Sequence, residues 1–180
     1  MDRRIAVVLG ALTTMANSAA AQARLAMNLN THSEVMIDRP AATIWPLIVD
    51  PTSWKQGTKT WHHAGPRGEL GEIFAAGDPA NKKNVEFFFE NVQLVPNQRR
   101  TIKIYAPAGE LLGFAIWTLR EGGAQTVVEY DVYSESLVNS VEARTKTPAE
   151  LREAERSYVA TNQQRFDREL LGLKRLVEAR

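Results

Sequence analysis

Apolar and polar residues alternate through the middle of the chain and recur at helical spacing only near its end, which predicts a run of strands followed by one long helix. Ser33 to Asp38 alternates around Val35 and Ile37 and predicts a first strand. Pro40 stands near the first position of a short helix whose Ile44, Trp45 and Ile48 are apolar. Pro46 cannot donate to the carbonyl four residues back, so this helix is kinked or about two turns long. Asp50-Pro51-Thr52-Ser53-Trp54 repeats the cap-then-proline pattern and predicts a second short helix ending near Gly57.

Strands are predicted at Lys59–Ala64, Glu69–Ala75, Asn84–Val95, Arg99–Tyr105, Gly113–Arg120 and Gln125–Ser134. Gly65-Pro66-Arg67-Gly68, Gly77-Asp78-Pro79-Ala80-Asn81, Pro96-Asn97, Ala106-Pro107-Ala108-Gly109 and Gly122-Gly123 separate them with turn chemistry. Connections this short make the sheet an antiparallel meander, because parallel strands need long crossovers. Alternation places Val85, Phe87 and Phe89 opposite Glu86, Phe88 and Glu90, and Val128, Tyr130 and Val132 opposite Glu129, Asp131 and Tyr133. One face is therefore apolar and the other wet. In the strand holding Trp117, Phe114 and Ile116 compete with Ala115, Trp117 and Leu119 for the inner face, and periodicity leaves the choice open.

The cover for the apolar face is the C-terminal segment. Thr147-Pro148-Ala149-Glu150 is a capping box with proline at the first helical position. Leu151, Tyr158, Phe166, Leu170, Leu173 and Val177 then form one stripe of a helix about 45 Å long, enough to lie across a whole curved sheet.

Composition narrows the classes. With 180 residues, 44% hydrophobic and 24% charged, the chain suits one globular domain. A net charge of +1 and no long basic run disfavour nucleic-acid binding, and the absence of cysteine excludes disulfides, thiolate catalysis and iron–sulfur clusters. Met1-Asp2-Arg3-Arg4, the 12-residue apolar stretch Ile5 to Ala16, and the small-residue region ending Ala21-Gln22-Ala23 are the three parts of a secretory signal peptide. The expected organisation is residues 1–23 as signal, cleaved after Ala23, and 24–180 as one domain, periplasmic or secreted. Twelve apolar residues are too few to span a bilayer, which needs about 20, so no stable membrane insertion is expected once the signal is removed.

The order of elements resembles the START-like or helix-grip superfamily (SRPBCC), also called polyketide cyclase/dehydrase and lipid-transport proteins. The resemblance rests on Val35-Met36-Ile37-Asp38-Arg39-Pro40-Ala41-Ala42-Thr43-Ile44-Trp45, on Asp50-Pro51-Thr52-Ser53-Trp54, and on Trp117-Thr118-Leu119 with Gly122-Gly123-Ala124-Gln125-Thr126-Val127-Val128. It implies an α+β helix-grip fold: a curved antiparallel sheet of about seven strands wrapped around a long C-terminal helix, with two short helices after the first strand. It also implies a cavity that accepts hydrophobic or amphipathic molecules. Ser134 to Lys146, with Leu137, Val138 and Val141, is a longer connection than the family pattern.

Signatures of catalysis are missing: there is no nucleophile elbow, zinc helix, P-loop or dinucleotide fingerprint. His62 and His63 would point to opposite faces of a strand and cannot readily share a metal ion, and His32 is remote in sequence; no metal and no cofactor are expected. His63 shares a face with Trp61, and on an inner face it would be a polar group in the cavity; its alternative is a partly exposed histidine at a strand end. Glu86, Glu90, Glu129 and Asp131 are assigned to the solvated side. The candidate ligand-binding set is therefore Trp61, His63, Phe87, Phe89, Trp117, Tyr130, Tyr158 and Phe166, with plain core packing as its alternative. The sequence favours an exported carrier for a hydrophobic or amphipathic small molecule. A cofactor-independent cyclase/dehydratase-type enzyme and a protein-interaction module remain as alternatives.

Overall fold

A computed structural model describes residues 26–54, 59–78, 80–81, 84–137 and 146–180. The proposed signal, Gly57, Pro79, Val138 and Val141 lie outside the described residues.

Eight strands form one antiparallel sheet: β1 (Ala26–Asn28), β2 (Thr31–Ile37), β3 (Thr60–Ala64), β4 (Ile73–Gly77), β5 (Val85–Val95), β6 (Arg99–Tyr105), β7 (Leu111–Gly122) and β8 (Gln125–Leu137). The path runs β1-β8-β7-β6-β5-β4-β3, with β2 also on β8. Asn28 opposes Glu135 and Thr31 opposes Val132, so β1 and β2 keep one register along β8 and act as a single interrupted edge strand. The sheet thus has seven strand positions, as expected, and β1 extends the edge beyond the predicted start. Register shifts at His62/Ala64, Ala76/Gly77, Asn91/Gln93 and Ile104/Tyr105 fall in β3 to β6, where bulges bend and twist a sheet. The strand predicted from Glu69 begins at Ile73. Positive φ at Gly68 and Gly71 makes a turn there, closed by Gly68 N–H donating to the Glu72 carboxylate at 2.7 Å.

Helix α1 (Ala41–Val49) carries Pro46 inside and spans nine residues. The second short helix is a correction: Pro51–Ser53 is a single 3-10 turn, held by Asp50, whose carboxylate accepts from Thr52 N–H at 3.0 Å. Trp54 then turns back, its indole donating to the Leu47 carbonyl at 2.6 Å. Helix α2 (Pro148–Glu178) has 31 residues and the predicted capping box is formed. Phe166, Leu170, Leu173 and Val177 pack into a core with Ile37, Ile44, Ile48, Trp117, Leu119, Val128 and Tyr130. The flank of α2 beside this stripe closes the sheet edge: Lys174 Nζ donates to the Met36 carbonyl at 2.7 Å, and Glu178 accepts from Asp38 N–H at 2.9 Å. Asn162 and Glu169 are seven residues apart and so share a flank. Gln163 and Lys174 occupy the β2-edge flank; Asn162 and Glu169 are buried, and the Asn162 amide donates to the Tyr158 carbonyl at 3.0 Å.

Candidate ligand site

Pairing across the sheet sorts the paired residues onto two faces. Ser33, Tyr130, Trp117 and Arg100 are in register on β2, β8, β7 and β6. Thr31, Val132, Ala115 and Ile102 form the next row, and Ser134, Gly113, Ile104, Phe89 and Phe74 the one after. Phe166, Tyr130 and Trp117 belong to one core cluster, so this is the concave face that α2 covers.

The open choice for Trp117 is decided: it is inside, 3% exposed, with Phe114 outside at 38%. Trp117 stacks on Tyr130 at 4.0 Å and 23°, Phe166 meets Tyr130 edge-on at 5.0 Å, and Trp54 meets Trp117 edge-on at 5.8 Å. Edge-on and offset contacts of this kind suit the ring quadrupoles and lock the four rings together. Phe89 packs against the core, while Phe87, two residues along the same face and 6.4 Å away, is 37% exposed. Aromatic surface therefore lies open at the end of β5.

The other predicted residues lie elsewhere. Trp61 opposes Ala75, which opposes Phe88, so β3 carries Trp61 on the convex face. His63 is exposed there, its ring 4.8 Å from Phe88; it corresponds to the exposed histidine of the alternative reading rather than a cavity group. Phe88 was expected on a wet face, yet it is half-buried between His63 and Tyr105, whose ring stacks on it at 5.4 Å. Burial, and then the charge of Glu90, push the Tyr105 phenol above its ordinary value. Tyr158 is exposed on α2, although Leu151 before it and Asn162 after it are buried, and it does not join the stack.

Glu90, Glu129 and Asp131 take the convex side as expected from alternation, and Glu86 is the exposed bulge residue that β4 leaves unpaired; Glu129 is buried on that side and pairs with Arg120 at 2.9 Å. Asp131 accepts from the His32 ring at 2.7 Å, and this hydrogen bond holds the imidazole above its ordinary value. Among the described residues no three histidine, aspartate or glutamate side chains gather as a metal site.

The concave face also carries polar groups that the sequence reading missed. Arg100 is buried, donating through Nε to Asn91 Oδ1 at 2.8 Å and through Nη1 to the Ile48 carbonyl at the end of α1, with the Phe74 ring 5.5 Å away. Asn91 passes the contact on to Glu72 at 3.5 Å, and the His62 imidazole stands 4.0 Å from the same carboxylate. One signal was available: Arg100 is in phase with Ile102 and Ile104, which places it on the apolar side of its strand.

A curved antiparallel sheet gripping a long C-terminal helix, with an aromatic stack between them, defines a helix-grip fold. Solved structures share it. They include a protein of unknown function, SA2116, from Staphylococcus aureus (TM-score 0.60, 14% identity, covering 84% of this chain and 96% of that one). A polyketide_cyc-like protein from Corynebacterium glutamicum (0.57, 13%, 84% and 92%) and the Aha1 dimer from Colwellia psychrerythraea (0.54, 16%, 83% and 96%) are similar as well. No protein-family model and no curated protein matches the sequence. Identities this low show a common fold, and a fold hosts many activities.

Proposed function

We propose that the protein is an exported carrier for a hydrophobic or amphipathic small molecule held between the concave sheet face and α2. The observation that carries this reading is the continuity between the buried Trp117–Tyr130–Phe166 stack and the Phe89–Phe87 pair, of which Phe87 remains open to solvent. An apolar wall with few polar groups, reached from an exposed aromatic edge, suits capture of an apolar body. Export is supported by the three-part N-terminus, and no described helix is long and apolar enough to cross a membrane.

Mass spectrometry of small molecules released from protein purified from the periplasm tests the reading. A recurrent apolar species at near-stoichiometric amount, whose rebinding in calorimetry shows a negative heat-capacity change, is the expected result. Ligand-free protein that also fails to take up any apolar probe would overturn it.

A further inference from the structure

We infer that the concave face recognises the carboxylate of an amphipathic ligand through Arg100, so that the cargo is an anionic, chain-bearing acid; this deepens the carrier reading and rests on it. Arg100 is 2% exposed and stands in register with Trp117 and Tyr130, so its charge sits in the wall of the proposed site. Both of its described hydrogen-bond partners, the Asn91 side-chain amide and the Ile48 carbonyl, are neutral.

A guanidinium offers five N–H donors, and the two partners take one each from Nε and Nη1. Among the described residues Nη2 has no hydrogen-bond acceptor. Glu72, then Tyr130 and Asp50, favour its charged form through space; Glu72 is joined to it through Asn91 and is already engaged by Gly68 N–H at 2.7 Å. Capping the end of α1 accounts for the Ile48 bond and leaves the Nη2 side of the fork unexplained. Burial lowers the guanidinium to about 10, so it is still a cation at neutral pH. A buried cation whose direct hydrogen-bond acceptors are all neutral is only partly compensated by charges at a distance, and a planar carboxylate is the anion whose geometry matches the unused fork.

Three probes with one chain separate the head group from the tail: dodecanoate, dodecanol and dodecylamine, titrated by calorimetry into the mature protein at neutral pH. Dodecanoate should bind about tenfold or more tighter than dodecanol, as expected for a charge-assisted hydrogen bond, with dodecylamine weakest. Arg100→Gln should bring the dodecanoate-to-dodecanol ratio to near one. Asn91→Asp, close in shape to the native residue, supplies an internal carboxylate to Arg100 and should reduce the ratio as well. Equal affinity of the unaltered protein for dodecanoate and dodecanol would overturn the head-group assignment while leaving the carrier reading in place, as would a full preference retained in Asn91→Asp. Failure of all three probes to bind would remove both.

Discussion

His32 and Gln163 are joined backbone to side chain: the His32 N–H donates to Gln163 Oε1 at 3.2 Å and the Gln163 amide donates back to the His32 carbonyl, and to Ser33 Oγ at 2.8 Å. A side chain of α2 thereby occupies the hydrogen-bonding positions that another strand would take at the edge of β2. Open edges invite pairing with other chains, and here the helix closes one. Gln163→Leu should lower stability by about 1 kcal/mol, since water replaces part of what is lost at this half-exposed place. It should also promote self-association. Urea unfolding and light scattering check the two effects, and an unchanged midpoint would show that the clamp contributes nothing.

The same edge is pH-sensitive through His32. Its pKa is raised above 6.5 chiefly by the hydrogen bond to Asp131, so the contribution is fully present below the unfolded value and is lost as pH rises through the folded one. The ring is 55% exposed, and solvent screens the pair. An NMR titration should find His32 above 6.5 and Asp131→Asn should bring it back toward that value; no difference between the two would refute the pairing.

Phe166 sits edge-on to Tyr130 at the centre of the stack. Phe166→Ala should cost about 3–5 kcal/mol, the range for truncating a buried phenylalanine. Thermal or chemical unfolding measures it. A much smaller loss with altered ligand uptake would mean that Phe166 lines open space instead of filling the core.

Phe87 and Phe89 should separate stability from binding. Phe87→Ala removes a partly solvated ring and should change stability by less than about 1 kcal/mol, while weakening uptake of apolar probes. Phe89→Ala opens packed core and should cost roughly 2 kcal/mol or more. Equal effects of both on unfolding, with no change in uptake, would argue against an entry at Phe87.

Export is tested by intact mass. Protein from the periplasmic fraction should begin at Arg24, and a full-length chain retained in the cytoplasm would contradict the signal reading.

Much of the architecture was legible in the sequence because it rests on local chemistry. The Thr147–Glu150 capping box, the proline-marked start of α1 and the strand Arg99–Tyr105 depend on residues close in sequence, and the fold keeps each of them. Alternation likewise assigned Phe89 and Tyr130 to the covered face. It could not choose the face of Trp117, because both parities of that strand are apolar; only its register between Arg100 and Tyr130 decides. Nor could it find the convex cluster of His63, Phe88 and Tyr105, since those rings come from three strands and meet only when the sheet closes. A polar residue on an apolar face reads in sequence as an exception, and Arg100 finds its partners only when β5, β6 and α1 bring Asn91 and the Ile48 carbonyl to it. Periodicity records which side a residue faces; what it meets there is set by contacts between elements distant in the chain, and those the tertiary structure alone decides.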